Sequence, residues 1–348
     1  MLLILVAGCG GTPRPRGRMG ALPFPGAWTL YGAADPGKLG HHRYDQGLIP
    51  LPPYETDRGL VYTCKAGFLD LAHTRTAIDW TRYFADHVRG ALKHKTKSLD
   101  IGGNNYSHFV FAFRYPDDWD RMDKAKRQSL IDELSVRIGQ RAAYAAMTWH
   151  EVITWYGYKG SLIVDESPSS FTWDDVMSHV IGIRVGGEAW RVVNVQKRKG
   201  VDYNGAVTEL LAAELRALHA VQPEETTTAA RAVDGKWWAD GKPLRRQLDI
   251  GLTTGRVTPW LVGGLSFCNE APATPPVYVL PDLANVASRD FRGMYDLEIE
   301  PRIGQSQTIR SKLPGKPERV DVAQHLPALV ETIRGEMRTK FGEGFDKP

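Results

Sequence analysis

Apolar positions along the chain recur with two periods, and each period predicts elements. Between Ala66 and Leu92, residues Phe68, Leu71, Ala72, Ile78, Tyr83, Phe84 and Val88 fall on one side of a helical wheel, so this stretch reads as a helix. Arg121 to Tyr158 starts as a charged amphipathic helix and turns apolar all round from Ala142 to Trp155, the pattern of a buried central helix. Thr172 to Ile183 reads as another helix, opened by a Thr172/Asp175 capping-box pattern. Ala206 to Val221 is amphipathic, and Val322 to Phe341 reads as a closing helix. Period-two alternation and β-rich composition predict strands at Tyr106 to Tyr115, at Val277 to Leu280, at Met294 to Pro301 and, shorter, at 189–196. Residues 233–270 mix turns and strands, with Asp234-Gly235 and Asp240-Gly241 as turn signals around Trp237-Trp238. Helices and strands do not alternate regularly, and no internal repeat is present. The expectation is an α+β fold: a mostly helical single globular domain with a small mixed or antiparallel sheet.

The start of the chain follows a different pattern. Met1 to Gly8 are almost all apolar, yet a bilayer span needs about 20 such residues. They read as the end of a truncated signal-peptide core, 1–8, with its basic start missing. The run closes Val6-Ala7-Gly8-Cys9, small residues before a cysteine, like a bacterial lipobox whose Cys9 is acylated. Gly10, not Asp, follows it, which fits sorting to the outer membrane. Residues 9–55 are rich in Gly and Pro and read as a lipid-anchored tether passing into an irregular wrap. The globular domain is expected over 56–345. A buried N-terminal strand with an ordinary cysteine is the competing reading of the start.

Composition narrows the classes. Of 348 residues, 42% are hydrophobic, 24% charged and 10% aromatic, which excludes a disordered chain, a collagen-like rod and a polytopic membrane protein. The net charge of +4, with no basic run beyond Lys197-Arg198-Lys199, gives no reason to expect a nucleic-acid partner. The chain has 3 cysteines; with Cys9 acylated, Cys64 and Cys268 remain, and in an oxidising compartment they could pair.

Three segments place polar residues where a core should be apolar, as functional sites do. In the first, Asp70 and His73 are three apart on one helix face, while Arg75 and Asp79 are four apart and could pair across the surface. An Asp-oriented His can serve as ligand or base; the bland alternative is a solvated face. In the second, Trp149-His150-Glu151-Val152-Ile153-Thr154 begins like the zinc-peptidase pattern His-Glu-x-x-His, but Thr154 stands where the second histidine should be. Its setting in the most apolar helix demands partners for His150 and Glu151; a satisfied core His with a structural Glu is the alternative. In the third, Asp175 and His179 share a face four apart, against the alternative that Asp174 and Asp175 only favour a helix N-terminus. Three His and a carboxylate suit zinc or another divalent transition metal. Cys64 before the first segment could instead be a thiol nucleophile with His150 or His179. Trp237-Trp238 could line a glycan cleft, although tandem Trp in a β region is more often core.

The order Thr63-Cys64-x-x-Gly67-Phe68-Leu69-Asp70-x-Ala72-His73-x-Arg75, then Trp149-His150-Glu151-x-x-Thr154-Trp155-Tyr156-Gly157, then Ser169-Ser170-Phe171-Thr172-Trp173-Asp174-Asp175-x-x-Ser178-His179-x-x-Gly182 resembles a bacterial lipoprotein family, the domain of unknown function 4056. The resemblance covers roughly residues 50 to 340. It implies a bacterial, membrane-anchored protein and carries no established activity; with Gly10 after Cys9, the expected address is the periplasmic face of the outer membrane.

Three functions compete. The leading one is a metal-dependent hydrolase acting on an envelope component. In it His73, His150 and His179 are ligands, Asp70 or Asp175 is an orienting carboxylate or fourth ligand, Glu151 is the general base, and Arg75 steadies negative charge. The second is a non-catalytic envelope lipoprotein binding a protein or glycan, its polar clusters fixing helix packing. The third is a Cys64–His thiol hydrolase or acyltransferase. Convergence of the three histidines in one cleft separates the first from the second, and a Cys64–Cys268 disulfide eliminates the third.

Overall fold

A three-residue turn, 64–66, that passes into Gly67 determines where the first helix begins. β1 (Leu60–Thr63) and β2 (Gly67–Asp70) pair antiparallel, Leu60 opposite Asp70 and Thr63 opposite Gly67. Gly67 has φ +71°, a conformation that suits glycine, and a Cβ there would sit 2.3 Å from the Trp260 carbonyl oxygen. The chain therefore reaches Asp70 as a strand, and α1 spans Leu71–Lys93 rather than starting at Ala66. Asp70 is its N-cap, accepting from the backbone N–H of Ala72 and His73. The computed structural model describes residues 12–15, 32–44, 58–103, 105, 107–158, 167–240, 242–269 and 274–348. The expected signal segment 1–8 and Cys9 lie outside them.

After α1 come β3 (Ser98–Gly102), β4 (His108–Phe113), α2 (Lys124–Trp155), α3 (Asp175–Asn194), α4 (Tyr203–Ala217) and α5 (Pro223–Ala232). Four two-residue strands follow: β5 (Trp238–Ala239), β6 (Lys242–Pro243), β7 (Arg256–Val257) and β8 (Tyr278–Val279). β9 (Tyr295–Glu300), α6 (Ser306–Ser311), β10 (Val320–Asp321) and α7 (His325–Phe341) complete the chain. The main sheet has the order β10-β9-β4-β3, antiparallel throughout. The fold is α+β, as the irregular element order implied. One expected strand is wrong: 189–196 continues α3 to Asn194. Its apolar residues Ala189, Trp190 and Val192 are buried on a helix packed among other helices, where local β propensity has no say.

The core is a three-helix stack. α1 lies against both α2 and α3, and most of its residues are buried, including Ile78, Trp80, Phe84 and Val88. Small residues set the spacing. A Cβ at Gly182 of α3 would stand 2.4 Å from the Thr74 carbonyl oxygen of α1, and one at Gly139 of α2 would stand 2.7 Å from the Ala85 nitrogen. The main sheet packs on the other flank of α1. Phe109, Phe111 and Phe113 alternate inward along β4, and the Phe109 ring meets that of Phe84 at 5.0 Å.

A second, aromatic core joins the β1–β2 hairpin to the later loops. Phe68, Trp173, Trp237 and Trp260 stack in sequence at 4.7 to 5.8 Å between ring centroids. Trp237 is buried there, and the Trp238 indole donates to the Ala230 carbonyl, so this pair is core and not the wall of a glycan cleft. Cys64 and Cys268 are joined by a disulfide at the rim of this core, which leaves Cys64 no thiol for nucleophilic attack. The N-terminal wrap is docked where it is described. The Tyr44 hydroxyl donates to the Pro13 carbonyl, and Ala33 bridges Leu60. Among the described residues no helix is long and apolar enough to cross a membrane.

Candidate functional site: a buried histidine–carboxylate cluster

The three polar segments meet where α1 and α3 begin and α2 nears its end. His73 stands in the first turn of α1. Its Nδ1 lies 2.9 Å from Asp175 Oδ1, at the first position of α3, and 3.8 Å from Asp70 Oδ2. Asp175 is held in turn: its other oxygen accepts from the Thr172 N–H and hydroxyl at 2.7 and 2.8 Å. Both Asp175 oxygens are thus engaged, which gives it the place of an orienting carboxylate rather than a ligand. Ser178 ties the two helix starts together, accepting from the Asp70 N–H and donating to the Asp174 carbonyl.

His179 follows Asp175 by one turn, and its ring centroid lies 5.7 Å from that of His73. The residue is 3% exposed, and its Nε2 has no hydrogen-bond partner. On α2, His150 Nδ1 lies 3.0 Å from the side-chain nitrogen of Asn105. An amide can present either its N–H or its oxygen to that atom, so Asn105 can hold His150 in either tautomer. Glu151 is buried. One oxygen accepts from the Phe171 N–H at 2.9 Å, while Oε1 has no partner. Phe171 adopts φ +55°, a rarely populated conformation for an aromatic residue, at the point where its N–H meets this carboxyl. Thr154 is also buried, with a hydroxyl lacking a partner.

The charges respond to one another. Burial alone would depress His73, but Asp70, the ion-paired Asp175 and Glu151 outweigh it and hold its pKa well above the ordinary histidine value. Burial and the positive His73 push His150 down to about 4 and His179 down to about 3, with Asp175 opposing. Burial, then the charge of Asp175, raises Glu151 well above an ordinary glutamate and Asp174 to about 8. Burial would raise Asp175 too, but the bond to His73 and its charge bring it below its usual value. His150 and His179 are thus held neutral, while His73 is biased towards its charged form and Glu151 towards its protonated one. Among the described residues no three His, Cys, Asp or Glu side chains are drawn together closely enough to close around an ion. The donors themselves, imidazole nitrogens with an adjacent carboxyl, are those that zinc and similar ions take.

His73, His150, His179, Glu151, Asp70 and Asp175 are therefore brought together; Arg75 is not. Two residues along a helix turn the side chain about 200°, so Arg75 faces away from His73. Its guanidinium lies 3.1 Å from His42 Nδ1 and donates to the Gly40 carbonyl, while His42 Nε2 lies 2.8 Å from Asp79 Oδ1. Arg75 and Asp79 are linked through a buried histidine instead of pairing across a surface. Sequence reasoning missed Arg246, 1% exposed, which donates to the Pro168 carbonyl and lies close enough to feel Asp175, Asp174 and Glu151. Burial lowers it to about 10 against the pull of those three carboxylates. An isolated arginine in a turn-rich stretch carries no periodic signal by which it could have been found.

The fold and the cluster define an α+β protein with a buried histidine–carboxylate centre at the junction of three helices. The chain belongs to the family described as "Protein of unknown function (DUF4056)", which matches residues 8–248 and so takes in every residue of the cluster. No curated protein and no solved structure matches the chain.

Proposed function

We propose that the cluster is the centre of a hydrolase that works with a bound divalent transition metal on a component of the bacterial envelope. The observation that carries this reading is the unpartnered Nε2 of His179, buried beside His73. A buried polar atom left bare costs about 1–3 kcal/mol and calls for an ion, water or ligand. A packing network would give each ring a protein partner. His73, His150 and His179 would hold the metal, which supplies a Lewis acid. Asp175 would hold the proton on Nδ1 of His73, and a metal would have to displace the proton that the charged ring carries on Nε2 before that atom could act as a donor. Glu151 Oε1 takes up a proton and returns it to the leaving group, a role its raised pKa suits.

The chain is further proposed to be a lipoprotein acylated at Cys9. The apolar run before Cys9 and the Cys64–Cys268 disulfide, a bond characteristic of oxidising compartments, support that placement.

Elemental mass spectrometry on the soluble form beginning after Cys9, purified without a histidine tag, tests the centre. The expected result is about one equivalent of metal per chain, lost in both His150→Ala and His179→Ala. A wild-type protein that stays metal-free after reconstitution with zinc, manganese and iron would sink the reading.

A further inference from the structure

A groove on the described surface is lined by none of the histidine-cluster residues. It encloses about 480 Å³ between α2, α3, the β1–β2 turn and residues 276–281, a volume typical of small-molecule sites. Its floor is apolar: Val180 and Ile183 of α3 and Leu280. Val277 and Val279, 44% and 66% exposed, continue the apolar surface at the mouth. Lys65, Arg137, Arg184 and Arg191 also line the groove, and among the described residues no Asp or Glu does.

The partners of these cations show where an anion would sit. Arg137 and Arg191 share Glu133, and Arg191 also pairs with Glu188. Arg184, 58% exposed, has only Glu214 at 3.6 Å, and Lys65 donates to a backbone carbonyl, that of Ala217. Three carboxylates outside the groove answer four cations within it, so one positive charge is unmatched among the described residues. Tyr278 lies beside both Lys65 and Arg184: its hydroxyl donates to the Lys65 carbonyl, and it feels the charges of Glu214 and of Arg184, the two members of that pair.

We propose that this groove binds a long-chain monocarboxylate. Its head sits between Lys65 and Arg184, and its hydrocarbon tail lies on Val180, Ile183 and Leu280 towards Val279. An apolar floor favours each methylene it buries, and one unmatched cation selects one anionic head. This site is independent of the proposed metal centre.

Titration calorimetry with monomeric oleate on the full chain tests it. Oleate is expected to bind saturably, whereas butyrate, inorganic phosphate and oleyl alcohol bind at least about tenfold more weakly. Arg184→Glu and Val279→Glu, both exposed and therefore safe for folding, are expected to weaken oleate by about tenfold or more, while His179→Ala leaves it unchanged. Absence of saturable oleate binding overturns the proposal. So does equal binding of phosphate, butyrate or the alcohol, or unaltered binding in both groove variants. Retention on anionic vesicles without binding of free oleate would assign the surface to a membrane instead and equally overturn it.

Discussion

His73 Nδ1 stands 2.9 Å from Asp175 Oδ1, and this pair joins the first turn of α1 to the first turn of α3. Each partner depends on the other: the carboxylate keeps the imidazole charged, and the imidazole keeps the carboxylate below its usual pKa. Asp175→Asn removes the charge and keeps the shape. The His73 pKa is then expected to fall, read from its imidazole resonances, and metal affinity to drop by about 10–100-fold. An unchanged His73 titration would show that Asp70 and Glu151 suffice to hold the charge.

The distance between the His73 and His179 rings rests on a glycine. Gly182 lies less than one turn beyond His179, and a Cβ there would meet the Thr74 carbonyl at 2.4 Å and Ala77 Cβ at 2.6 Å. Neither neighbour is a flexible side-chain end, so α1 and α3 must separate. Gly182→Ala is expected to destabilise by about 1–3 kcal/mol in urea unfolding, despite the better helix propensity of alanine. It should also weaken metal binding. A stabilised variant would mean that the two helices are not held as closely as described.

Asp79, His42 and Arg75 form a second buried polar group, which fastens the wrap at 32–44 to α1. Removing one member of a buried charged network commonly costs about 3–5 kcal/mol. Asp79→Ala is expected to lose stability on that scale and to open the chain to trypsin after Arg43. Metal content should be unaffected, since Arg75 faces away from the cluster. Loss of metal with normal stability would return Arg75 to the site.

The helical pattern made α2, α4 and α7 legible within a few residues, because amphipathic periodicity is written locally. The histidine cluster was legible for a related reason. His150 and Glu151 sit in an otherwise apolar helix, and such a conflict has few structural excuses. What could not be read was set by distant contacts. The start of α1 depends on a hairpin that forms only because Gly67 can pass under Trp260. The later half of α3 reads as a strand from its branched residues until its burial among helices is known. His42 and Arg246 lie 31 residues before and 67 after the nearest cluster histidines in sequence, and nothing local marks either.

The disulfide closes a loop between residues 204 apart, and restricting so long a segment of the unfolded chain gives a large entropic term. Reduction, or Cys64→Ser with Cys268→Ser, is expected to cost about 2–5 kcal/mol and to loosen the aromatic core around Phe68 and Trp260. Near-ultraviolet circular dichroism should register that loosening, while the His73 titration stays as in the oxidised protein. A change in both would show that β2 transmits strain from the hairpin to Asp70.

Glu133 supplies the acid-side signature of the helix stack. Burial would raise its pKa, but the bonds to Arg191 and Arg137 outweigh it and hold the carboxyl below its ordinary value of 4.5. The unfolded chain therefore takes up a proton at higher pH than the folded one. The resulting stability is fully present above the unfolded value and is lost as pH falls through the folded value. Glu133 is about one-third exposed, so solvent screens the pair and its contribution is below about 1 kcal/mol. Glu133→Gln should accordingly lie slightly below the wild type in thermal midpoint at pH 7, and the gap should close below pH 4. A gap that stays constant from pH 7 to pH 3 would mean that Glu133 acts through packing alone, and that Arg137 and Arg191 draw their order from elsewhere.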